Sequence, residues 1–133
     1  MAKVIGPDFV ALHVRDLAAS QHFYADLLGL ELDPKFTSPT FVTFATKPIP
    51  FGIREPAPGV DLGTLDQLGA GVDLWLNCDD VDGLYASLEA NGVPILQQPA
   101  DTPFGRRFIC RDPNGYALII YKAIPLDQVQ LKP

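Results

Sequence analysis

His13 and His22 are the chain's two imidazoles, and Cys78 and Cys110 its two thiols. Those four residues bound most of the proton-transfer and nucleophilic chemistry the sequence could offer. Histidine suits proton transfer near neutral pH and is the commonest metal ligand. A thiol attacks only as the thiolate, which needs a neighbour that lowers its pKa. Cys78 has no nearby histidine in sequence, and the two cysteines lack CxxC or zinc-like spacing, so both read as small buried hydrophobes. No Ser/His/Asp order, Gly-rich phosphate loop or GxGxxG run follows a strand. His13 reads as a polar contact or weak base at a strand end, or more plainly as a hydrogen-bonded structural residue. His22 reads as a helix-surface or interface residue.

The elements that must position these groups are written twice. FVALHVRDLAASQHFYADLLGLELDP, from Phe9 to Pro34, is echoed by VDLWLNCDDVDGLYASLEANGVPILQQP, from Val72 to Pro99. Each copy opens with an apolar strand that runs into an aspartate, Asp16 or Asp80. An amphipathic helix follows, closed by Gly29 or Gly92, and then a second strand. A steady offset over a whole supersecondary unit points to duplication. Asp16 is placed as an N-cap, with Leu17, Phe23, Tyr24, Leu27 and Leu28 at helical spacing. Val81, Leu84, Tyr85 and Leu88 give the second helix its apolar face.

Further strands are predicted over Leu30–Phe36, Phe41–Ala45 and Phe51–Arg54 in the first half. Val72–Cys78, a strand starting at Pro94–Leu96, Arg106–Arg111 and Tyr116–Lys122 are the counterparts in the second. The last two are joined by the turn Asp112-Pro113-Asn114-Gly115, where Asn-Gly tolerates positive φ. The sequence therefore predicts an α+β fold of two tandem βαβββ modules, residues 8–55 and 72–122, joined by a Pro/Gly-rich linker over 56–71 within a single domain 1–133. Set side by side, two such modules would make a curved mixed sheet around a cleft, with the helices outside.

Composition narrows the function classes. With 133 residues, 47% of them apolar and 20% charged, the chain has material for one ordinary core. A net charge of −6, from 16 acidic against 10 basic residues, argues against a nucleic-acid partner. No apolar run reaches the roughly 18 residues of a membrane span, and the start MAKVIGPDFVA lacks a signal-peptide core. A cytoplasmic protein without a membrane partner is the expectation.

The string VRDLAASQHFYADLLGL, from Val14 to Leu30, together with DPNG at Asp112–Gly115, resembles the glyoxalase / bleomycin-resistance / extradiol-dioxygenase (vicinal oxygen chelate) superfamily. The resemblance spans about residues 8–122 and implies paired βαβββ modules. It also implies a divalent metal held by His and Glu at matched strand positions. Carried over, those positions are Phe9, Asp73 (or Gly71, allowing a gap) and Ile119. Phenylalanine and isoleucine offer no lone pair, and Asp73 alone makes no ligand shell. His13 shares strand parity with Phe9 but lies about 13 Å along the strand. No metal and no cofactor are expected.

Parity counted from those positions assigns a cleft-facing set. Phe9, Ala11 and His13 belong to the first strand, Asp73 and Trp75 to its counterpart, and Ala117, Ile119 and Tyr121 to the last strand. The resemblance adds Arg107 and Ile109, and it places Phe104, in TPFGRRF, over the cleft mouth. In the middle of the first half Val42 and Phe44 are assigned to that face, with Phe51 and Ile53 beside them. Such a surface is aromatic and apolar with a few polar handles, as a small-molecule pocket requires. Aromatic faces suit planar rings, and Asp73 could anchor a cationic nitrogen. The expected function is a metal-free, non-catalytic binding protein that sequesters a planar or aromatic compound, including a cationic one. Drug-binding antibiotic-resistance members of the superfamily imply this role, and they imply a homodimer. The alternatives are a metal-independent enzyme using His13 or Asp73 as base, a metal-dependent lyase or dioxygenase with displaced ligands, and a purely structural role.

Overall fold

The computed structural model describes residues 1–131, and the chain divides into two compact units that meet between Asp66 and Gln67. Among the described residues there are two sheets, of three and four strands.

In the first unit β1 (Val10–His13) leads to Asp16, whose carboxylate accepts the Ala19 amide at 3.0 Å and caps α1 (Leu17–Gln21). The helix then widens into a π-helical segment, His22–Leu27, and ends at Gly29, where φ is 77°. Strands β2 (Phe41–Phe44) and β3 (Phe51–Arg54) complete the sheet in the order β1-β3-β2. β3 runs parallel to β1 and antiparallel to β2.

The strand predicted over Leu30–Phe36 is cut down to a two-rung pairing. Asp33 donates to the Thr43 carbonyl and Ala45 to that of Glu31, with a lone bridge between Leu32 and Phe44. Asp33 then caps a 3-10 turn, Pro34–Phe36. Proline preset for the first helical position ends the extended run. The linker is likewise not plain loop: Asp61 caps a 3-10 turn at Leu62–Thr64, and Leu62 and Leu68 are buried.

The second unit repeats the plan at greater length. β4 (Trp75–Asn77) precedes α2 (Val81–Ala90), capped by the Asp80 carboxylate on the Gly83 amide at 3.0 Å and closed by Gly92 at φ 76°. β5 (Ile95–Thr102), β6 (Gly105–Arg111) and β7 (Ala117–Tyr121) give the sheet order β4-β7-β6-β5. Pro99 is tolerated because β5 is an edge strand whose register slips between Gln97 and Ala100. The β6–β7 turn is held from inside. The buried Asp112 carboxylate accepts the Asn114 and Tyr116 amides at 2.8 and 2.9 Å, and Gly115 takes φ 98°.

Each sheet buries one face against its own helix. In the first unit Tyr24 stands between Phe44 and Phe51, at 6.1 and 5.3 Å between ring centroids. In the second, Tyr85 of α2 meets Phe108 edge-on at 5.6 Å, above fully buried Leu88, Cys110 and Leu118. Side chains in register alternate between faces, so these contacts fix which residues look away from the helix. Among the described residues no helix is long and apolar enough to cross a membrane.

Candidate functional site

The second unit brings most of the expected site residues to one face. Trp75 pairs in register with Ile119, and Ile119 with Ile109. One step along, Tyr121 pairs with Arg107. All five lie on the face opposite Phe108, away from α2. The Trp75 indole meets Tyr121 edge-on at 5.0 Å and Phe104 at 5.8 Å. Phe104 reaches it from the β5–β6 turn, which Thr102 fastens by hydrogen bonds to the Phe104 amide and the Gly105 carbonyl. Trp75 stays 39% exposed and Phe104 38%, so a three-ring cluster keeps aromatic edges uncovered above buried Ile119. Exposed aromatics beside apolar floor residues can hold a flat ring system by stacking.

Polar groups border the cluster. The Arg107 guanidinium donates to the Gln97 side-chain oxygen at 2.6 Å. Gln97 was not singled out by sequence reasoning; its place opposite Ile109 depends on a β5 that runs beyond Leu96. Asp73 is exposed and lies ahead of β4, outside the strand.

The first unit divides its candidates between two faces. Phe9, Ala11 and His13 look away from the helix, and the Phe9 ring lies 5.8 Å from Phe41. Phe44 and Phe51, with Val42 and Ile53, do not share that face. They pair with one another in register and pack beneath Tyr24, with Phe44 0% and Phe51 7% exposed. The expected parity of β2 and β3 is thereby corrected by one residue, which turns a strand's whole set over. The face away from the helix instead carries Phe41, Thr43, Gly52 and Arg54. Gly52 was the available signal, since glycine within a strand marks a close approach. A Cβ there would meet the Phe9 ring at 2.8 Å and the Phe41 ring at 3.0 Å. His13 accepts the Ala57 amide on Nδ1 at 3.4 Å, a bond that ties the strand end to the following loop. His22 pairs with Asp26 at 2.7 Å on the surface of the π segment.

The thiols match the inert reading. Burial pushes the Cys110 thiol up to about 12, with the Asp112 charge adding to it. Burial also raises Cys78. Neither forms a reactive thiolate near neutral pH.

The positions that would hold a divalent ion do not fit one. Phe9 and Ile119 have no donor atom, and Gly52, which matches Ile119 in the first unit's sheet, has no side chain. Among the described residues no three His, Cys, Asp or Glu side chains gather closely enough for a metal ion.

Residues 6–120 match the Glyoxalase/Bleomycin resistance protein/Dioxygenase superfamily. A phenazine antibiotic resistance protein of Enterobacter agglomerans is 23% identical over 128 residues, covering 92% of this chain and 94% of that protein. An antibiotic binding protein of Streptomyces sp. CB03234 superposes with a TM-score of 0.71 at 22% identity, over 93% of this chain and 100% of the other. A protein of Agrobacterium tumefaciens solved by NMR superposes with a TM-score of 0.68 at 32% identity, over 92% of this chain and 100% of its own.

Proposed function

Because the chain belongs to the glyoxalase / bleomycin resistance protein / dioxygenase superfamily, we propose that it is a metal-free binding protein that sequesters a planar aromatic small molecule. It acts in the cytoplasm as a homodimer and turns nothing over. One observation carries the reading: the Trp75–Phe104–Tyr121 cluster presents uncovered ring edges on the strand face away from α2. An antibiotic resistance protein and an antibiotic binding protein among the relatives support it. The donor-free Phe9 and Ile119 support the absence of a metal. His13 Nδ1 already serves the backbone, which leaves the metal-independent enzyme without a supporting observation.

Trp75 is the only tryptophan, so intrinsic fluorescence reports directly on the site. Titration with phenazine is expected to give saturable quenching with a dissociation constant in the micromolar range, roughly 8 kcal/mol of binding free energy. In calorimetry Trp75→Ala should cost about 2 kcal/mol of that, as for a central aromatic anchor. Circular dichroism should be unchanged, because Trp75 is exposed. A flat titration across neutral and charged planar aromatics would sink the proposal.

A further inference from the structure

Arg106 and Arg107 are chain neighbours on opposite faces of β6, and their charges are treated differently. Arg106 meets two carboxylates on the helix side: Asp82 at 3.0 Å and Asp101 at 3.2 Å. Arg107, on the aromatic face, donates to the neutral side-chain oxygen of Gln97. Asp101 is the only acidic residue in the four strands of this sheet, and it stands opposite Arg106. The remaining arginine of β6, Arg111, donates to the Gly115 carbonyl and belongs to the turn. A half-buried cation therefore faces the ring cluster with no carboxylate paired to it among the described residues, in a chain whose net charge is −6.

We infer that the compound bound at this face is an anionic planar aromatic, such as an aryl carboxylate, whose acid group is received by Arg107. The inference rests on the binding function proposed above and reverses the charge expected from Asp73. Directly paired strand positions bring side chains within roughly 5 Å at Cβ, so a ring stacked on Tyr121 or Trp75 can set a substituent against the guanidinium. Gln97 holds one guanidinium nitrogen and leaves the rest of the planar donor fork for a carboxylate. The three rings alone would also suit a cation. Arg107 opposite Tyr121 opposes one, and exposed Asp73 is a solvated alternative outside the strand.

Three probes of one shape separate the outcomes: phenazine, phenazine-1-carboxylate and the N-methylphenazinium cation, each titrated by Trp75 fluorescence and calorimetry. The carboxylate should bind about tenfold more tightly than neutral phenazine, in line with a charge-assisted hydrogen bond, and the cation more weakly than either. Arg107→Gln should abolish the preference for the carboxylate over neutral phenazine, and Arg107→Lys should keep part of it. Added salt should weaken the carboxylate alone. Equal binding of the neutral and anionic probes, or tightest binding of the cation, overturns the inference and leaves the binding function standing. Failure of all three to bind overturns both.

Discussion

The strand faces that look away from the two helices started from one plan and ended in opposite states. Backbone bonds mark the matching positions: the Val14 amide donates to Arg54 as the Cys78 amide does to Tyr121, both at 2.8 Å. Ala11 then corresponds to Trp75, Gly52 to Ile119 and Phe41 to Arg107. In the first unit Phe9 and Phe41 settle over Gly52, and the Arg54 guanidinium lies 6.0 Å from the Phe41 ring centroid. That face seats its cation by its own ring, while Phe9 stays 38% exposed, as Phe104 does in the second unit. In the second unit arginine and aromatic have exchanged strands, isoleucine fills the floor, and Trp75 rises where the first unit has alanine. There the guanidinium donates to the neutral Gln97 side chain. A duplicated backbone thus sets a cation by its own ring in one copy and against a neutral amide in the other, decided at a few positions.

The two faces differ most at Gly52 and Ile119, and both positions can be made alanine. Ile119→Ala removes a buried side chain from the second sheet and should cost about 2–5 kcal/mol. Gly52→Ala adds a methyl where two rings already stand and should cost about 1–3 kcal/mol through overpacking. Urea denaturation measures both. A neutral Gly52→Ala would mean that the Phe9 and Phe41 rings are not seated on the strand.

A smaller effect separates the helix-side strand faces, where the thiol of Cys110 takes the place of Phe44. Burial first, and then the Asp112 charge, raise the folded Cys110 from an ordinary 9.0 to about 12. Between those values the folded chain keeps its proton and the unfolded chain loses it. The thiol's contribution is whole below about pH 9 and falls by about 1.4 kcal/mol per pH unit as pH climbs toward 12. From about pH 8 to pH 10, the wild type should therefore lose about 1.4 kcal/mol more stability than Cys110→Ala. Parallel pH slopes would refute the buried thiol.

Much of this was legible in the residues. Asp16 and Asp80 are caps, Gly29 and Gly92 take positive φ, and DPNG makes its turn because each task admits few residue types. In the second unit strand parity assigns Trp75 and Tyr121, the family resemblance assigns Arg107, and the register sets the three on one face. Around Val42–Phe44 and Phe51–Ile53 the alternation gathers the apolar side chains on one face, but periodicity alone cannot say whether that face meets the helix. Register settles it, and register is a property of the paired strands. The π segment is hidden too, since Phe23, Tyr24, Leu27 and Leu28 fit a helical stripe whether or not the backbone widens. Gln97 and the double neutralisation of Arg106 depend on contacts between elements, which no single stretch encodes.

The finest distinction between the copies lies in the first helical turn. Asp16 caps the amide of Ala19, and Asp80 caps that of Gly83, at the same 3.0 Å. A Cβ on Gly83 would press against the Asp80 carboxylate as it now stands. Yet Ala19 carries a Cβ at the matching place and keeps its cap, so a modest turn of the Asp80 side chain should be enough. Gly83→Ala is then expected to stabilise the protein by up to about 1 kcal/mol, the ordinary gain of alanine over glycine within a helix. Asp80→Ala should cost about 1 kcal/mol as a lost cap. The double variant decides between independence and conflict, because coupled neighbours depart from additivity. Equal gains from Gly83→Ala with and without Asp80 would mean that the second cap adapts to the first unit's arrangement. A gain seen only in the Asp80→Ala background would show that the glycine is there to make room for the carboxylate.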